Sequence, residues 1–143
     1  MNHDARCRLE ELLDHEIEAA RGLAAVLTAE RIALTGDSPQ AVELRAAEKI
    51  QLLATIEKLE QDRRAVLVGP EATGLAAAVA ERWRALMELI ATCRTANEVN
   101  GHIIHVRQHQ IRQLIDIVRG GVPITYGPQG QTTAHALRAL ARA

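Results

Sequence analysis

Apolar residues in the second half of the chain recur at alternating steps of three and four. This spacing is that of one face of an α-helix, and it predicts a long helix over about residues 71–118. The stripe comprises Leu75, Val79, Leu86, Leu89, Ile90, Cys93, Ile104, Ile111, Leu114 and Val118. At about 1.5 Å per residue this helix would be roughly 70 Å long, so it would outreach any helix that the rest of the chain can supply.

Two shorter helices are predicted before the long one, over about residues 4–34 and 39–67. The segment between them contains Gly36, which permits a left-handed helix cap, and then Ser38 and Pro39, which suit the N-cap and first turn of a new helix. The short loop makes the two helices antiparallel. The predicted fold is therefore all-α, an elongated antiparallel helical bundle or coiled coil of three main helices.

The last residues are predicted to form a separate, flexible tail. Residues 120–143 are rich in glycine and proline at their start, and a short helix over about 134–142 would be marginal on its own. The predicted organisation is a helical bundle over 1–119 followed by this tail. The sequence leaves an alternative open, in which the tail or its short helix folds back over the long helix as a fourth helix.

The surplus length of the third helix predicts a binding surface. At about 1.5 Å per residue the first two helices would reach only about 45 to 50 Å, which leaves the end of the stripe without an internal partner. An apolar stripe in that position indicates a partner on another molecule. The residues of this surplus are Ile103, Ile104, Ile111, Leu114, Ile115 and Val118.

Charged residues interrupt the apolar faces of the first two helices. Glu16 and Glu30 fall on or beside the face of the first helix, and Lys49 and Arg63 fall on that of the second. The favoured interpretation is ion pairing between the helices, which would fix their register, or solvated positions at the edges of the faces. Acid–base chemistry by a pair of carboxylates is the alternative.

Asn97, Asn100 and Gly101 lie near the apolar face in the middle of the third helix. Buried asparagines specify register and partner choice, and a mid-helix glycine costs about 1 kcal/mol relative to alanine. These residues predict a specificity device or a hinge. The alternative is a helix break with Asn100 and Gly101 in a turn.

Composition and motifs argue against an enzyme. The chain has a net charge of −1, one tryptophan and two isolated cysteines, and it contains no nucleotide-binding loop or nucleophile motif. His102, His105 and His109 do not form a recognised metal-ligand motif. We therefore expect no catalytic residue, no metal, no cofactor and no nucleic-acid partner. With no signal peptide and no apolar run long enough to span a bilayer, we expect a cytoplasmic protein without membrane insertion.

Two segments of the chain resemble a known family. The run from Cys93 to Ile104 is similar to the Asn-x-x-Asn-Gly segment of the FlgN-type flagellar type III export chaperones, and the run from Tyr126 to Thr132 is similar to their Tyr-Gly-x-x-Gly tail. The resemblance covers nearly the whole chain. It implies a chaperone that binds hook–filament junction proteins through their C-terminal segments before export and delivers them to the membrane export gate.

The resemblance also assigns expected roles to residues. Client binding falls to the surplus of the long helix with its flanking polar residues, and contact with the export gate falls to the tail. The expected client-binding residues are Asn97, Asn100, Gly101, Ile103, Ile104, Arg107, Ile111, Leu114, Ile115 and Val118, and the expected gate contacts are Tyr126, Gly127 and Gly130. The main alternative is a structural coiled-coil protein that homodimerises through the same stripe and has no client.

Overall fold

The computed structural model describes residues 2–67 and 76–120, and these residues form three α-helices without a strand. Helix α1 spans His3–Thr35, α2 spans Pro39–Leu67 and α3 spans Ala77–Gly120. The fold is thus all-α, as predicted. Because residues 121–143 lie outside the described part, the boundary between bundle and tail at about residue 120 and the helix over about 134–142 stay predictions.

The link between α1 and α2 uses the polar groups that the sequence provides. The Ser38 hydroxyl accepts a hydrogen bond from the backbone N–H of Ala41 at 3.3 Å, so it caps the helix that begins at Pro39. The left-handed cap expected at Gly36 is wrong. Gly36 is extended, with φ −95° and ψ −172°, and its N–H donates to the carbonyl of Ala33 at 3.1 Å.

Helix α3 is continuous over the described residues. Ala76 lies just before the helix, and its carbonyl accepts hydrogen bonds from the backbone N–H groups of Val79 and Ala80. The start expected near residue 71 lies outside the described residues, and within them α3 begins at Ala77. The helix then runs through Gly101 to Gly120, so the turn considered at Asn100 and Gly101 is absent.

The chain divides into two units at Glu98, and α3 contributes to both of them. The core of the first unit is centred on α1. Its buried seam alternates steps of four and three residues, as in a coiled coil. The seam residues are Leu9, Leu13, Glu16, Ala20, Leu23, Leu27, Glu30 and Leu34.

Helices α1 and α3 supply the two hydrophobic clusters of this core. In the first cluster, Leu9 and Leu13 of α1 pack with Val79 and Leu86 of α3. In the second, Leu23 and Leu27 pack with Cys93, whose thiol hydrogen-bonds the carbonyl of Ala20 at 3.5 Å. Early residues of α1 contact early residues of α3, and later residues of α1 contact later residues of α3. Helices α1 and α3 therefore run parallel in this unit.

Helix α2 is buried less than its predicted apolar face suggests. Arg63 is its only buried residue, while Leu53 is 47% exposed. The other apolar residues at helical spacing on α2 are partly buried: Val42, Leu52, Ile56, Leu59 and Val66. Helix α2 therefore covers one side of α1 and leaves part of its own apolar surface in solvent.

Candidate partner-binding surface on the third helix

Two ion pairs join α1 to α2. The carboxylate of Glu16 accepts a hydrogen bond from Arg63 Nε at 2.6 Å, and the carboxylate of Glu30 lies 2.8 Å from Lys49 Nζ. Glu16 and Glu30 are fourteen residues apart, and so are Lys49 and Arg63, which matches an antiparallel register. The predicted interhelical ion pairing is confirmed, and it places each seam carboxylate against its own cation.

The pairs are tied to α3 as well. The guanidinium carbon of Arg63 lies 4.6 Å from the centroid of the Trp83 ring, a cation–π contact. Lys49 Nζ also donates to Asn97 Oδ1 at 3.4 Å. Lys49 and Arg63 therefore each contact both neighbouring helices, so the pairs fix the position of all three helices in this unit.

Burial dominates the electrostatics of the Glu16 pair. Desolvation raises the pKa of the Glu16 carboxyl, and the hydrogen bond and positive charge of Arg63 oppose this rise without cancelling it. The side chain of Glu16 is only 2% exposed and that of Arg63 is 9% exposed. For a buried ion pair the cost of desolvation offsets much of the attraction, and the structural consequence seen here is the antiparallel register of α1 and α2.

The apolar stripe of α3 changes its surroundings along the helix. At seven-residue intervals, Val79, Leu86 and Cys93 are buried, at 2%, 0% and 6% exposure. The same face continues into the second unit but ends in solvent. We call its four exposed residues the distal stripe: Ile111 at 56%, Leu114 at 54%, Ile115 at 41% and Val118 at 80% exposure.

The other predicted client-binding residues lie on α3 between the buried seam and the distal stripe. Asn97 is exposed and accepts the hydrogen bond from Lys49. Asn100 is fully buried, at 0% exposure, and an added Cβ at Gly101 would meet nothing within 4 Å. Ile103, Ile104 and Arg107 are partly buried. The predicted gate contacts Tyr126, Gly127 and Gly130 lie outside the described residues.

The surroundings of the distal stripe are polar and mainly basic. Arg112 and Arg119 are exposed on the same stretch of helix, where Asp116 is the acidic residue. Within residues 2–67 and 76–120, no group of three His, Cys, Asp or Glu side chains is placed to hold a metal ion. The same ranges contain no helix that is both long and apolar enough to cross a membrane. This arrangement offers apolar area flanked by cations, which suits protein binding.

A second exposed apolar surface was missed by the sequence reasoning. Leu53 lies at helical spacing with other apolar residues of α2, yet it is 47% exposed. The adjacent Leu52 and Leu53 carried the signal, since neighbouring residues on a helix point about 100° apart and a narrow seam does not bury both. The apolar side chains of α2 therefore point in two directions, and α1 covers one of the two faces.

Comparisons with known proteins agree with the resemblance seen in the sequence. The family described as "FlgN protein" matches residues 1–134. The flagella synthesis proteins FlgN of Salmonella typhimurium (strain LT2) and Salmonella typhi are each 31% identical to the chain over 129 residues, which cover 88% of this chain and 91% of theirs. No solved structure matches. With a family match over most of its length and two relatives of this similarity, the chain belongs to the FlgN family.

Proposed function

We propose that this protein is a cytoplasmic flagellar export chaperone. It binds hook–filament junction proteins through an apolar surface on α3, prevents their premature assembly and delivers them to the type III export gate. Membership of the FlgN family supports a role in flagellum assembly, as does the name "Flagella synthesis protein FlgN" of the two Salmonella relatives. The function is binding and release, without covalent chemistry or a cofactor.

The observation that carries the proposal is the distal stripe. Four large aliphatic side chains on one helix are 41% to 80% exposed, although the same pattern is buried earlier in α3. A client segment that folds as an amphipathic helix would bury this surface, gaining about 25 cal/mol per Å² of apolar area before the cost of ordering. The client's own apolar face would then be kept from aggregating.

The polar residues beside the stripe would select the client. Asn97 and Arg107 offer hydrogen-bond and charge contacts, and the buried Asn100 would influence binding through the packing of α3 around it. Gly101, Ile103 and Ile104 complete the proposed client surface toward the buried seam. Tyr126, Gly127 and Gly130 are proposed to contact the export gate, and unchanged gate binding by Tyr126→Ala in the loaded complex would refute that role.

Calorimetric titration with the C-terminal segments of the two hook–filament junction proteins tests the client proposal. We expect sub-micromolar affinity for at least one segment, and at least about tenfold weaker binding by both Ile111→Asp and Leu114→Asp, since a charge would be buried in the interface. The matched control is Ile32→Asp, because Ile32 lies on α1 and is 68% exposed. Absence of binding to both segments, or equal weakening by Ile32→Asp, would contradict the proposal.

A homodimeric coiled coil without a client is the second candidate, and the same exposed stripe favours it. Two copies of the distal stripe would bury each other's aliphatic side chains, although Arg112 and Arg119 would then bring like charges close together. Sedimentation velocity separates the candidates. A tight dimer that Leu114→Asp dissociates, together with no binding of either client segment, would establish this second function and exclude the chaperone.

A further inference from the structure

An apolar groove lies on the first unit, and no residue of the distal stripe lines it. Its volume is about 280 Å³, and it lies where α2 and α3 flank α1. Each of the three helices contributes apolar residues to its lining. These are Ala20, Leu23 and Leu27 of α1, Leu53 and Ile56 of α2, and Ile90 and Cys93 of α3.

The groove is accessible from solvent. Leu53 is 47% exposed on one wall, whereas the floor residues Leu23 and Leu27 are 7% and 1% exposed. The walls are thus partly hydrated and the floor is already packed. Filling the groove would remove the remaining apolar area from water without rearranging the core.

The two ends of the groove differ in charge. Lys49, Arg94 and Asn97 line one end, and Glu60 lines the other. Lys49 and Glu60 are eleven residues apart on α2, which corresponds to about 16 Å, or three helical turns. Lys49 is held by Glu30, and Glu60 pairs with Arg64. Arg94 is exposed, and no ion pair to it is found within the described ranges.

These features define the shape and charge of an occupant. A groove flanked by two helices over a third is the position that a fourth helix takes in a bundle, and it receives apolar side chains at helical spacing. Arg94 supplies a cation at one rim, and within the described ranges no carboxylate forms an ion pair with it. An acidic residue at one end of the bound helix would therefore be favoured there, and a basic residue at its other end would be favoured beside Glu60.

We propose that this groove is a second docking site, which binds an amphipathic helix of a partner protein about three turns long. The bound helix presents apolar residues at positions i, i+4 and i+7, an acidic residue next to Arg94 and a basic residue next to Glu60. The distal stripe of a second copy fits this description poorly, because Arg107, Arg112 and Arg119 outnumber the one acidic residue of that stretch, Asp116.

The test uses the full chain and two synthetic amphipathic peptides of about 18 residues, long enough to form helix on binding. Both carry leucines at heptad spacing. The mixed peptide has glutamates at one end and lysines at the other, and the basic peptide has lysines at both ends. We expect the mixed peptide to bind with about micromolar affinity, and the basic peptide to bind at least about tenfold more weakly.

Charge reversal provides the decisive variant. Arg94→Glu is expected to weaken binding of the mixed peptide at least about tenfold and to reverse the preference in favour of the basic peptide. Arg84→Glu is the matched control, because Arg84 is an exposed arginine of the same helix that does not line the groove. A loss of binding without the reversed preference, or an equal effect of Arg84→Glu, would overturn the assignment.

Aliphatic variants locate the binding surface. Leu53→Asp is expected to weaken the mixed peptide at least about tenfold, whereas Ile50→Asp is expected to leave it unchanged, since Ile50 is 65% exposed on α2 and does not line the groove. Circular dichroism confirms that each variant is folded. No peptide binding, or loss caused by Ile111→Asp in place of Leu53→Asp, would overturn the proposal, as would a dimer that Leu53→Asp dissociates. None of these outcomes depends on whether the distal stripe binds a client.

Discussion

The two ends of the apolar stripe on α3 have the same residue pattern and different surroundings. Leu86 and Leu114 are both leucines, twenty-eight residues or four heptads apart on one helix, yet Leu86 is 0% exposed and Leu114 is 54% exposed. Helical periodicity sets the face on which an apolar residue lies. Whether that face is buried depends on a partner of sufficient length.

Helix lengths explain why the early part of the stripe, in the first unit, is buried. Helix α1 has 33 residues and α3 has 44. Near its end, α1 still reaches α3 through Arg31, whose guanidinium donates to the carbonyl of Ala96 at 3.3 Å, and α1 stops at Thr35. The early part of the stripe therefore has α1 as its partner, and the proposed client would be the partner of the distal stripe.

The largest expected effect compares aspartate at the two leucines. Leu86→Asp buries a charge without a partner in the first cluster, and we expect it to lower the free energy of unfolding by at least about 5 kcal/mol, which is enough to unfold a small domain. Leu114→Asp is expected to change it by less than about 0.5 kcal/mol. Urea denaturation followed by circular dichroism measures both values. Similar losses in the two variants would contradict the distinction between buried and exposed stripe.

Removing a cation from the buried seam comes next. Arg63→Ala leaves the Glu16 carboxylate buried without its partner, and we expect a loss of about 3 to 5 kcal/mol in the free energy of unfolding. Arg64→Ala is the control, because Arg64 follows Arg63 in the sequence but its side chain is 72% exposed. We expect Arg64→Ala to lower the free energy of unfolding by less than about 0.5 kcal/mol. Equal losses of unfolding free energy in Arg63→Ala and Arg64→Ala, measured by urea denaturation, would contradict a structural role for the Glu16–Arg63 pair.

A substitution at Gly101 asks whether the junction between the two parts of the stripe must bend. Gly101 lies within α3 and has open space around an added Cβ, so Gly101→Ala is expected to stabilise the protein by about 0.5 to 1 kcal/mol. Because Gly101 lies in the proposed client surface, the added methyl group would stand against the client, and we expect calorimetry on the same variant to show weaker client binding. Unchanged client affinity would show that Gly101 is neither a hinge nor part of the client surface.

The smallest expected effect concerns pH and Glu16. Because burial raises the pKa of this carboxyl in the folded protein above its ordinary value of 4.5, the folded state holds the proton more tightly than the unfolded chain. Its contribution to stability is full below that ordinary value and is lost as the pH rises through the raised folded pKa. The free energy of unfolding of the wild type relative to Glu16→Gln should therefore fall with rising pH above about 4.5. A relative rise over this range, measured by urea denaturation at several pH values, would contradict this assignment.

Periodicity and cap signals predicted most of what the structure shows of the fold. The steps of three and four found the helical faces, and the opposite charges of Glu16 and Arg63 predicted a contact between helices that the structure confirms. The predicted start of α3 near residue 71 falls outside the described residues, and within them the helix begins at Ala77. The extended Gly36 was missed because glycine also permits conformations other than the left-handed one.

The candidate surface was predictable only in part, for a different physical reason. The exposure of Ile111 and Leu114 follows from comparing helix lengths, which the sequence allows. The groove beside Leu53 depends on how far α2 and α3 are separated over α1, and this distance arises from packing among all three helices. No pattern within one helix encodes it.

Amide hydrogen exchange on α3 with and without a client segment tests the central claim most directly. If the distal stripe binds the client, adding the C-terminal segment of a hook–filament junction protein will slow exchange over residues 104–118 and leave residues 79–93 unchanged, since those amides are already protected by the packed core. Slowed exchange confined to other parts of the chain, with residues 104–118 unaffected at saturating client, would contradict the account.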